Sequence, residues 1–84
     1  MQRQRYLVFK FVGNTIEVYS VCAVNVEAAV LDTRIVLPTY HIYCNTDITN
    51  KGVFALELES IRQEPTIISE VAKAFDGVAT GKLN

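Results

Sequence analysis

Eighty-four residues with a formal charge of −1, half of them hydrophobic and a fifth charged, make one domain with a modest core and apolar surface to spare. The near-neutral charge excludes a global field that would draw the chain onto nucleic acid or an anionic membrane, and local basic character is confined to Arg3 and Arg5. No apolar run is long enough to cross a bilayer or to act as a signal peptide, which predicts a cytoplasmic protein with Cys22 and Cys44 as free thiols.

Tyr6 to Ala23 reads as a β-hairpin. Gly13-Asn14 stands between two runs of β-branched and aromatic residues, and Gly at the first central position suits a two-residue type II′ turn, where φ is positive. Such a turn sets Val12 against Thr15, Phe11 against Ile16, Lys10 against Glu17, Phe9 against Val18, Val8 against Tyr19, Leu7 against Ser20 and Tyr6 against Val21. Leu7, Phe9, Phe11, Ile16 and Val18 then share one face, the evident core. The opposite face carries Tyr6, Val8, Val12, Tyr19 and Val21, relieved by one cross-strand charge pair, Lys10 with Glu17. A solvated sheet face is normally more polar, so this one calls for a cover.

Asn25 is a plausible N-cap for a helix from Val26 to about Val36, with Glu27 in its first turn and Pro38 beyond its end. Val26, Ala29, Val30, Thr33, Val36 and Leu37 fall on one side at helical spacing, and the many β-branched residues require that packing hold the helix in place. A short third strand follows at Tyr40 to Cys44. Residues 45–52 form a polar loop in which Ile48 is the single large apolar residue. A fourth strand runs from Val53 to Ile61, with Phe54, Leu56 and Leu58 alternating with Ala55, Glu57 and Glu59. A second helix spans about Pro65 to Asp76, with Ile67, Ile68, Val71, Ala74 and Phe75 as its stripe and Gly77 as its stop. Residues 78–84 read as a frayed tail.

The order is therefore β-β-α-β-β-α, an α+β single domain over residues 1–84 with a four-stranded, mainly antiparallel sheet and two helices. Either the helices take opposite faces in three layers, or they leave the second sheet face to another copy or another protein.

Candidate chemistry is sparse. His41, Cys44, Asp47 and Cys22 contain metal-ligating types, but positions 41 and 44 of a strand point to opposite faces and paired-ligand spacing is absent. Neither a metal nor a cofactor is expected. The single His offers no nucleophile pair within a small sheet, Glu57 and Glu59 suit a solvated stripe better than an acid/base pair, and the isolated glycines make no phosphate loop. The protein is expected not to be an enzyme. Tyr6, Tyr19 and Tyr43, with His41, Lys10, Arg3 and Arg5 nearby, allow an alternative reading as a single-stranded nucleic-acid binder that stacks bases on an aromatic face. Tyrosines and aliphatics rimmed by charges have the composition of a protein interface, and this reading leads. It takes Tyr6, Val8, Lys10, Val12, Glu17, Tyr19, Val21 and Tyr43 as partner-binding residues, with Glu57 and Glu59 as a second, acidic contact that steers toward basic grooves. A homodimer through the same surface is expected, and no membrane.

Taken together, the opening Met1-Gln2-Arg3, the Tyr6 to Ala23 hairpin, the Asn25-Val26-Glu27-Ala28-Ala29 helix start and the lack of a catalytic set resemble the short single-domain proteins that bacteriophages encode to disable host machinery, anti-CRISPR and other anti-defence inhibitors among them. That resemblance implies a stoichiometric inhibitor that occupies a surface of a host defence or nucleic-acid-processing complex.

Overall fold

The first hairpin forms as its turn residues require. Gly13 takes φ 63°, and Asn14 is not among the residues with positive φ, which is the type II′ combination. The computed structural model, which describes residues 2–82, pairs β1 (Gln4–Val12) with β2 (Thr15–Ala23) in the register expected from the turn, from Val12 opposite Thr15 to Tyr6 opposite Val21. The loop that follows β3 (Tyr40–Cys44) holds the hairpin tip: the Ile48 N–H donates to Gly13 O at 2.8 Å, and Gly13 N–H donates to Thr49 Oγ1 at 2.8 Å. Ile48 itself is buried in the core.

Five antiparallel strands, not four, make the sheet, in the order β4-β1-β2-β3-β5. β4 covers Val53–Leu58, and the expected extension to Ile61 becomes a short 3-10 turn at Ile61–Gln63. There the Gln63 side-chain carbonyl accepts from the Glu59 and Ser60 N–H groups at 2.6 and 3.2 Å. The expected frayed tail is corrected over most of its length. Residues 78–82 belong to β5 (Gly77–Lys82), which pairs with β3, and residues 83–84 lie outside the described part. Long-range pairing with β3 makes this strand, and Gly77 permits it, since a Cβ there would lie 2.6 Å from Ile42 Cγ2. The reversal after α2 (Glu64–Ala74) falls at Asp76, with φ 51°, rather than at Gly77.

α1 spans Val26–Asp32, four residues shorter than the spacing predicts. Asn25 caps it as expected, its side chain accepting from Ala28 N–H at 2.8 Å. At the other end Thr33 Oγ1 donates to Val30 O at 2.6 Å, and Thr33, Arg34 and Ile35 close tighter turns onto Val30, Leu31 and Asp32. A β-branched trio, Thr33, Ile35 and Val36, gains little by continuing a helix. Of the residues expected on its packed side, Ala29 and Thr33 are buried, whereas Val26, Val36 and Leu37 stand exposed.

The two helices take opposite faces, so the domain has three layers. α2 closes the inner face, where Leu7, Phe9, Phe11, Ile16, Val18, Ile42 and Cys44 pack with Ile68 and Ala72, backed by Ile67, Val71 and Phe75. Phe9 stacks on Phe54 at 4.7 Å between centroids, and Phe11 meets Phe75 at 5.1 Å. On the outer face α1 covers Tyr6, Val8, Tyr19, Val21 and Ala23, with Ala29 at the contact. The face that called for a cover is thus met, in part, within the chain.

Candidate functional site

α1 is too short to close the outer face. Seven residues of helix reach about 10 Å, against roughly 30 Å for a nine-residue strand. The register shows what remains open. One row across the sheet runs from Val53 at the β4 edge through the polar Lys10, Glu17 and His41, and the next runs Val12, Thr15, Tyr43, Val78. In that outer row Val12 is 55% exposed, Tyr43 51% and Val78 71%. An apolar row therefore ends the sheet, and a polar row separates it from the part packed under α1.

The polar row is internally connected. Tyr19, at the border, donates its hydroxyl to Glu17 Oε1 at 2.9 Å. The other carboxylate oxygen of Glu17 lies 4.0 Å from His41 Nε2. Lys10 Nζ sits over the Tyr19 ring, 5.2 Å from its centroid, a cation–π placement, so the expected Lys10–Glu17 pair shares a register position while the carboxylate is engaged by Tyr19 and His41. The His41 and Tyr43 rings lie nearly parallel, 14° apart, at 6.2 Å. Burial, the hydrogen bond to Glu17 and the negative charge of Glu17 together push the Tyr19 phenol up to about 12, which keeps it a donor. This arrangement presents a half-dry line of donors and acceptors beside exposed apolar side chains. It suits recognition of a surface.

No protein-family model, curated protein or solved structure matches this chain.

The residues expected to bind a partner separate into three groups. Tyr6, Val8, Tyr19 and Val21 are buried beneath α1 and present no surface. Lys10, Val12, Glu17 and Tyr43 come together on the open half, joined there by His41 and Val78, which the partner-binding set had left out. Val78 was missed because its strand read as a tail. Glu57 and Glu59 are exposed but elsewhere: Glu57 is opposite Tyr6, at the covered end, and Glu59 lies beyond β4. Arg3 and Arg5 do not rim the outer face. Arg5 shares the inner face with Leu7 by strand alternation and donates to Ser20 Oγ at 2.7 Å, while Arg3 donates to Cys22 O at 3.1 Å. The three-tyrosine platform that would stack bases does not form, because Tyr43 alone of the three is exposed.

The remaining chemistry is placed as strand alternation demands. His41 faces outward, Cys44 is buried on the inner face, and Cys22 is exposed as a free thiol. Among the described residues no group of three His, Cys, Asp or Glu side chains could hold a metal ion. Burial, and behind it the Asp76 carboxylate, pushes the Cys44 thiol up and away from the reactive thiolate. No helix among the described residues is long and apolar enough to cross a membrane. On the inner side an open groove of about 450 Å³ lies between α2 and β5, lined mainly by Tyr40, Pro65, Ile68, Ala72 and Gly77 with Lys73 as its charged member.

Proposed function

We propose that the protein is a non-enzymatic protein-binding module that acts by occupying a surface of another protein. The observation that carries this reading is the open half of the outer face, where exposed Val12, Tyr43 and Val78 flank the row Lys10, Glu17 and His41, which the Tyr19 hydroxyl ties to the covered half. Aromatic and aliphatic side chains beside held polar groups are the ingredients of an interface core and its rim. A second exposed apolar group, Leu31, Ile35, Val36 and Leu37, runs from the last turn of α1 into the segment after it, and Ile35 at 82% exposure is the barest large hydrophobe among the described residues. Single apolar residues on a surface need no explanation, but clusters of this kind mark contact sites.

The resemblance to phage anti-defence proteins supports a role as a stoichiometric inhibitor, anti-CRISPR-like in action, directed at a host defence or nucleic-acid-processing complex. The test is affinity capture from host lysate with quantitative mass spectrometry, comparing the wild type with Tyr43→Glu, Val78→Glu and Ile35→Glu. A host protein retained by the wild type and lost with Tyr43→Glu, in a variant with an unchanged thermal midpoint, supports the reading. Equal retention by all variants removes the open face and the 31–37 turn from the account.

A further inference from the structure

We infer that β4 is a pairing edge for a second copy of this chain, joined antiparallel about a twofold axis at Ala55. This contact is separate from the partner surface above and is tested without it. The two edges of the sheet are β4 and β5. They differ in how they are guarded. β5 meets β3 through a register shift at His41/Ile42 and contains Gly77 and Gly81, irregularities that blunt an edge. β4 pairs with β1 over six consecutive residues without a shift, and it carries neither Pro nor Lys.

The backbone of β4 has a definite free side. Phe11 N–H donates to Gly52 O at 3.1 Å, and bonded and non-bonded pairs alternate along an antiparallel ladder. The β1–β4 register therefore turns the groups of Phe54, Leu56 and Leu58 toward β1 and those of Val53, Ala55 and Glu57 outward. Among the described residues no backbone hydrogen bond reaches these outward groups.

Self-pairing with Ala55 opposite Ala55 uses all three. Val53 of one copy then stands opposite Glu57 of the other, in bonded pairs, and Phe54 stands opposite Leu56 in the closer non-bonded pair. Phe54 and Leu56 belong to the inner face, so the row that begins with Phe9 and Phe54 continues across the axis and covers the exposed flank of Leu56. No glutamate faces a glutamate. Just beyond the strand ends the same register brings Lys51 of each copy abreast of Glu59 of the other. The neighbouring register, with Leu56 opposite itself, sets Val53 against Glu59, whose N–H is already taken by Gln63 Oε1 at 2.6 Å. On the other side, Phe54 opposite itself sets Glu57 against Lys51, whose N–H is already taken by Ile48 O at 3.0 Å, so the Ala55 register is the one that uses all three free residues.

The experiment is light scattering over a concentration series, and the expected result is a dimer of twice 9.4 kDa. Ala55→Pro removes an outward N–H without touching the ladder to β1 and is expected to give a monomer. Val53 is exposed, so its variants spare the core should Ala55→Pro fail to fold. Val53→Glu opposes Glu57 twice across the axis and should weaken the dimer about tenfold, whereas Val53→Lys should not. Lys51→Glu and Glu59→Lys should each weaken it and together restore it. A wild type that stays monomeric throughout overturns the inference, and so does a dimer indifferent to Val53→Glu and to the charge swap.

Discussion

Val8 and Val12 sit on the same strand and the same sheet face, two pleats apart, yet Val8 is 0% exposed and Val12 55%. Their strand periodicity is identical, and so is their side-chain chemistry. What separates them is the length of α1, which reaches over Tyr6, Val8, Tyr19 and Val21 and stops short of Lys10 and Glu17. Two-sided apolarity in a strand therefore states that a cover exists, and the size of the cover decides which residues remain available for contact. One half of the outer face supplies stability and the other supplies surface.

The sharpest way to break this comparison is to place the same charge at both positions. Val8→Glu buries a carboxylate without a partner under α1 and should cost about 4 kcal/mol or more, against a total stability of roughly 4 to 12 kcal/mol for a chain of this size. Val12→Glu should stay within about 0.5 kcal/mol of the wild type. Urea unfolding of the two variants measures both. Equal effects would mean that α1 does not divide the face.

A smaller effect probes the cover itself. α1 has under two turns and cannot persist on propensity alone, so its cap matters to the whole outer cluster. Asn25→Ala removes the bond to Ala28 N–H and should cost about 1 kcal/mol. It should also speed amide exchange at Ala28 and Ala29 more than on the inner face, where α2 is untouched. Uniform acceleration on both faces would show that the two layers open together rather than separately.

Much of this architecture is legible from residue types, and the failures have physical causes. The Gly13-Asn14 turn forces the hairpin register, and alternation then assigns every face in it correctly, because a two-residue loop leaves no freedom to slip. β3 was legible because Tyr40 to Cys44 is bounded by Pro38 and a polar loop. β5 was not, since Val78, Ala79 and Thr80 between glycines gain a strand only by pairing with β3, a contact distant in sequence. Alternation also places Arg5 with Leu7 on the inner face, so its expected place on the outer rim was an avoidable error. The open part of the outer face was half legible. Lys10, Val12, Glu17 and Tyr43 stay on the open face, while Tyr6, Val8, Tyr19 and Val21 are hidden by a helix whose docking no spacing announces.

Tyr19 marks the boundary between the two halves, and its ionisation gives the finest test. Its ring is buried under the covered half while its hydroxyl donates to Glu17 on the open half. Burial first, then the hydrogen bond and the charge of Glu17, push the phenol from 10.0 up to about 12 in the folded protein. The folded state thus holds this proton more tightly than the unfolded chain. The resulting stabilisation is fully present below pH 10 and is lost as pH rises from 10 toward 12. Tyr19→Phe should cost about 1 kcal/mol at neutral pH through the missing bond, and its thermal midpoint should fall less steeply than that of the wild type across the same alkaline range. Comparing the two curves cancels the other groups that titrate there. Parallel curves would mean that the phenol gains no protection from α1 and Glu17, and the border between covered and open halves would then lie on the other side of Tyr19.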